Sequence, residues 1–74
     1  MSRYVMCLDN TDHLVGLEIR KVYKVVDDAF AEAHGAIRII DETGEDYMYE
    51  AGRFVPVEIP EAQGVDEVFE AVHA

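Results

Sequence analysis

Apolar and polar positions alternate along this chain in short runs separated by polar turns, a rhythm that predicts a mainly β fold with one helix at the end. Tyr4 to Leu8 is a compact apolar run with β-branched and aromatic members, which predicts a first strand. Asp9-Asn10-Thr11-Asp12 stops it, because short polar side chains bond to nearby backbone and favour turns. From Val15 to Arg20 apolar and polar residues alternate again, predicting an extended arm with Gly16 as a bulge or bend. Val22 to Val26 is a cleaner strand, with Lys24 marking the solvent face. Asp27 to Gly35 opens on two acids and closes on Gly. It is near the lower margin for helix nucleation, so it predicts a loop with a helical turn, with Phe30 tucked over a barrel opening.

The densest pattern runs from Ile37 to Glu58. Ala36–Ile40 and Asp46–Glu50 predict a hairpin, and Gly44 in the loop between them fits a type I turn followed by a left-handed residue. Alternation places Tyr47 and Tyr49 on one face, toward the core, and leaves Met48 as a lone apolar residue on a charged face. Ala51-Gly52-Arg53 turns the chain into Phe54–Ile59. Pro56 in that segment cannot donate to a ladder, so the segment is an edge strand or is broken by a short helical turn. Residues 61–74 change period: Val65, Val68, Phe69 and Val72 recur at i, i+3, i+4 and i+7 and define one stripe of an amphipathic helix. Asp66 and Glu67 sit in its first turn and His73 in its last, where the helix dipole favours them. The stripe must be covered, by the chain's own sheet or by a partner.

These elements predict one domain: a small five-stranded barrel over residues 1–60 and a C-terminal α-helix packed on it or on a partner. At 74 residues the chain buries a small core, worth ~3–5 kcal/mol net. Half of its residues are apolar and seven are aromatic, enough for a packed interior despite the charge.

The charge narrows the function. Sixteen acids against six bases give −10, a field that repels phosphate backbones and anionic membrane surfaces. No apolar run reaches the ~18–20 residues of a membrane span, and the N-terminus lacks a signal-peptide apolar region. Cys7 is the single cysteine, which fits a reducing compartment, and a cytoplasmic location is expected. Amid apolar neighbours Cys7 reads as a core residue rather than a nucleophile. Arg20, Lys21 and Lys24 form a basic spot that balances nearby acids.

Candidate chemistry is sparse. There is no Gly-rich phosphate loop, no H-E-x-x-H and no cysteine pair. His13, His34 and His73 have no ligand spacing. Asp41, Glu42, Glu45 and Asp46 lack the alternation of a calcium loop and read as a turn. Ser2 is the only serine, which removes a serine nucleophile. The expectation is a protein without catalytic activity, metal or cofactor, which binds a protein partner or itself through the helix stripe and nearby apolar surface (Val65, Val68, Phe69, Val72 and Met48) or through the exposed edge near Pro56. The alternative is an acidic decoy that imitates a nucleic acid on a basic protein surface.

The run Ile37 to Val55 is similar to the second half of a Src-homology-3 domain, and Leu17 to Val25 looks like the strand after that fold's long first loop. A closer similarity is to small bacterial and phage proteins with a Lys-x-Tyr-x-Val strand followed by Asp-x-x-Gly-Glu-Asp-Tyr-x-Tyr and a Phe. Here these are Lys21, Tyr23, Val25, Asp41, Gly44, Glu45, Asp46, Tyr47, Tyr49 and Phe54. The resemblance covers residues 3 to 59 and implies an SH3-like barrel with a distal hairpin, a 3₁₀ turn, and Tyr49 and Phe54 as core anchors. It implies no activity. Peptide-binding members hold polyproline with a Trp, a Pro and a Tyr. This chain has no Trp, Glu50 stands at the Pro position and Phe54 at the Tyr position, so the resemblance carries the barrel without the groove.

Overall fold

The computed structural model describes residues 3–59. The expected C-terminal helix, and with it Val65, Val68, Phe69 and Val72, lies outside the described residues. The described elements are β1 (Tyr4–Cys7), β2 (Val22–Val26), α1 (Ala29–Ala33), β3 (Ala36–Ile40), β4 (Asp46–Glu50), a 3₁₀ turn (Ala51–Arg53) and β5 (Phe54–Val57). The strands form one antiparallel sheet in the order β4-β3-β2-β1-β5. Among the described residues the fold is therefore mainly β with a single short helix. The sheet has two edges, β4 and β5, and is not closed by pairing between them. Pro56 stands on an edge, where its missing N–H breaks no ladder. No described helix is long and apolar enough to cross a membrane.

One face of the sheet builds the core. Strand alternation points Val5, Cys7, Tyr23, Val25, Ile39, Tyr49 and Phe54 inward, and Leu17 joins them from the β1–β2 connection. Register follows from this set. Val5 lies opposite Tyr23, Val25 opposite Ile39, and Cys7 opposite Phe54, so a one-residue slip would expose every member. Cys7 is fully buried, as its apolar neighbours in sequence predict.

The turns follow their local chemistry. Asp28 caps α1 by accepting from the Ala31 N–H at 3.0 Å. Gly44, at φ +85°, supplies the left-handed residue of the β3–β4 hairpin.

Three expectations are corrected. No strand forms between Val15 and Arg20: Leu17 is buried, while Val15 and Ile19 are exposed. Both sides of β1 are taken, by β2 and β5, and both sides of β2, by β1 and β3, so an arm here cannot pair with either strand it connects. Phe30 covers no opening. It is 64% exposed and stacks on His34 at 4.2 Å, because the five-residue helix buries Ala31 instead. Tyr47 shares the inner face with Tyr49 but is 49% exposed. It stands near the hairpin end of an edge strand, and its hydroxyl donates to Glu45 at 3.1 Å.

Candidate interaction surface

The connection from Leu8 to Lys21 is long for a link between paired strands, and it is held along its whole length. At its start, the Leu8 N–H donates to the Arg53 carbonyl at 2.8 Å. The Arg53 guanidinium reaches back and donates to the Thr11 carbonyl at 2.8 Å and the Asp9 carbonyl at 3.4 Å. It also pairs with the carboxylates of Asp9 (3.4 Å) and Glu50 (3.0 Å). Asp9 in turn accepts from the Thr11 N–H at 2.9 Å, the Asx turn its position predicts. Hydrogen bonds from Thr11 and the nearby guanidinium hold the Asp9 carboxyl below the usual carboxylate range.

The middle of the connection closes a helical turn. The Leu17 N–H donates to the His13 carbonyl at 2.9 Å, and the Asn10 amide donates to the Leu17 carbonyl at 3.2 Å. Leu17 anchors this turn in the core. Gly16 lets it approach the hairpin, where the Glu42 N–H donates to the Gly16 carbonyl at 3.0 Å. A Cβ on Gly16 would lie 2.5 Å from the Tyr49 hydroxyl and 3.1 Å from Asp41 Oδ2. The His13 ring stands edge-on to Tyr49 with centroids 5.0 Å apart.

Beneath the turn is a buried polar cluster. Asp41, 6% exposed, accepts from the Tyr49 hydroxyl at 2.6 Å, the Thr43 N–H at 2.9 Å and the Thr43 hydroxyl. These three donors replace the water a buried carboxylate loses. The Tyr23 hydroxyl accepts from the Glu18 N–H at 2.8 Å and donates to Glu42 at 2.6 Å, and Lys21 Nζ pairs with Glu42 at 2.8 Å. Burial first, then the neighbouring carboxylate, pushes both phenols above the usual tyrosine range. Burial likewise pushes the Cys7 thiol up. These groups stay protonated near neutral pH and serve as hydrogen-bond struts. The acidic hairpin turn is therefore only partly a solvated one: Asp41 and Glu42 hold the β1–β2 connection in place.

What this held turn presents outward is apolar. Leu14 is 77% exposed and Val15 82% exposed. Met48, the one described residue of the expected surface, is 43% exposed on the outer face of β4 opposite Arg38. Of the expected basic spot, Lys21 is spent on Glu42 and Glu18. Arg20 sits at φ +66° and makes no ion pair among the described residues. Phe54 faces the core, 6.2 Å from Tyr49, and Glu50 pairs with Arg53, so neither builds an aromatic groove. Among the described residues no group of three or more His, Cys, Asp or Glu is placed to hold a metal ion.

Sequence reasoning named Met48 and missed Leu14 and Val15. The alternation of Val15 with Leu17 and Ile19 read as an extended arm. The usable signal was the Asp-Asn-Thr-Asp turn before them and the Gly between Val15 and Leu17. No protein family, curated protein or solved structure matches the chain.

Proposed function

We propose that the protein is a small acidic interaction module on an SH3-like barrel, without catalytic activity, that binds a protein partner through the apolar tip of the β1–β2 connection. The barrel reading is supported by the strand order, by β2 pairing with both β1 and β3, and by the 3₁₀ turn joining β4 to β5. One observation carries the function: two aliphatic side chains, each more than three-quarters exposed, stand on a turn whose backbone is tied down on both sides. Ordering a recognition loop upon binding costs about 1–2 kcal/mol per backbone residue, and a loop already held avoids that cost.

The test compares the full chain with Leu14→Asp/Val15→Asp. Both substitutions are on exposed side chains, so the fold should persist. The reading expects a partner, or self-association in sedimentation, that weakens at least tenfold in the variant and changes little with salt. Unchanged binding by the variant overturns it. Binding that instead collapses between ~50 and 200 mM salt, as phosphate-like contacts do, assigns the acidic surface to the decoy reading.

A further inference from the structure

The two edges of the sheet differ in character. On β5, Pro56 has no N–H to offer, so a strand laid against that edge meets a missing donor. On β4 the edge is complete. The Asp41 N–H donates to the Glu45 carbonyl at 3.0 Å and the Ala51 N–H to the Gly35 carbonyl at 3.0 Å, one at each end of the β3–β4 ladder. Antiparallel ladders alternate, so Tyr47 and Tyr49 spend their backbone groups on β3, while Asp46 and Met48 each turn an N–H and a C=O away from it. Among the described residues β4 pairs with β3 alone. No Pro, Lys or Gly interrupts Asp46–Glu50, although such residues are the usual means of blunting an edge. Its side chains are accessible as well: Tyr47 on the inner face and Met48 on the outer face are both about half exposed.

We infer that the β4 edge takes up an extended segment of a partner protein, added antiparallel to β4, with a basic-x-apolar-x-basic pattern. The backbone supplies the ladder, since Met48 exchanges both of its free hydrogen bonds with the central residue of the segment. The outer face sets the pattern. Asp46, Met48 and Glu50 share it, and the two carboxylate side chains are well exposed. Side chains directly opposed in an antiparallel pair stand ~4.5–5.5 Å apart, so bases lie against Asp46 and Glu50 and an apolar group against Met48. Each acid already holds one arginine, Arg38 at 3.3 Å and Arg53 at 3.0 Å, and as an exposed carboxylate keeps further acceptor sites. On the inner face, a β-branched residue beside the centre covers Tyr47. The same charges reject a second copy. Two β4 edges paired about Met48 would set Asp46 of each chain opposite Glu50 of the other, like charge on like. The net charge of −10 opposes that encounter and attracts a basic segment. The edge is built from other residues than Leu14 and Val15, so it binds independently of the tip of the β1–β2 connection.

The probe is an end-blocked peptide centred on Lys-Thr-Ile-Val-Lys, titrated into the full-length protein and followed by amide shifts and hydrogen exchange. Slowed exchange at the Asp46 and Met48 amides is the expected result. Two modified peptides test the ladder itself. N-methylation of the Ile, whose N–H faces Met48, should weaken binding about tenfold or more, and N-methylation of the Thr, whose N–H faces solvent, should change it less than about threefold. Equal effects of the two would mean an ionic contact without strand pairing and overturn the inference. So would equal binding of a Glu-Thr-Ile-Val-Glu peptide, or no binding of the lysine peptide at ~1 mM. Leu14→Asp/Val15→Asp should bind the lysine peptide with unchanged affinity; a loss there in the folded variant places the peptide on the tip and refutes the edge. If that variant unfolds, the paired N-methyl peptides on the unaltered protein decide the question.

Discussion

Gly16→Ala is the sharpest perturbation the fold offers. Gly16 has no left-handed backbone to protect, so the effect of a methyl group there is steric. The new Cβ would meet the Tyr49 hydroxyl at 2.5 Å, nearly an ångström inside ordinary contact, and Asp41 Oδ2 at 3.1 Å. Relief comes in one of two ways. Tyr49 withdraws and leaves the buried Asp41 carboxylate short of a donor, at about 1–3 kcal/mol. Otherwise the turn lifts off the hairpin and loses the Glu42-to-Gly16 hydrogen bond and the seating of Leu17, an overpacking cost of about 1–3 kcal/mol. Either route predicts a loss of ~2 kcal/mol, a large share of the ~3–5 kcal/mol expected of so small a core. Urea unfolding followed by circular dichroism reads it directly. With m near ~1 kcal/mol/M, the midpoint should fall by ~2 M. The cause is checked by a double-mutant cycle with Tyr49→Phe, which removes the clashing oxygen and leaves the ring carbon at 3.7 Å. In that background Gly16→Ala should cost at least ~1 kcal/mol less, a coupling size typical of touching side chains. A midpoint within experimental error of wild type, or an equal cost in both backgrounds, refutes the proposed lock.

Arg53→Met should free the β1–β2 connection without dissolving the sheet, seen as faster hydrogen exchange at Leu8 and the loop amides with β3 and β4 unchanged. Arg20→Gly should raise the urea midpoint by up to ~1 M, because left-handed backbone costs a non-glycine residue about 1–2 kcal/mol; the added chain entropy of Gly offsets part of this. Asp9 and Asp28 have folded pKa values below their unfolded ones, Asp28 chiefly through its hydrogen bond from Arg38 at 2.8 Å. Their stabilisation is thus complete above the unfolded carboxyl value of ~4 and is lost as pH falls through the folded values. Arg38→Gln should flatten the drop in urea midpoint below pH ~4, and an unaltered slope would deny the pair that role.

Much of this fold is local. The five strands, the Gly44 hairpin, the edge position of Pro56 and the inward side of Cys7 and Tyr49 follow from period-two alternation, apolar neighbours and turn residues, each read over fewer than ten residues. The path of the β1–β2 connection does not. Val15, Leu17 and Ile19 alternate as a strand would, but the segment closes a turn from His13 to Leu17 that is held to the hairpin through Gly16. Arg53 holds Thr11 across 42 residues of sequence, and Glu42 receives Lys21 across 21. Asp41 looks like any acid in a solvated turn until the Gly16 turn folds over it. Tyr47 and Phe30 have the composition of core residues and yet stand 49% and 64% exposed. Periodicity and turn chemistry thus determine which residues extend and where the chain reverses, since those depend on neighbours in sequence. Which apolar groups are buried, which acids are enclosed, and that Leu14 and Val15 stand exposed were decided by tertiary contact, because burial depends on what arrives from elsewhere in the chain.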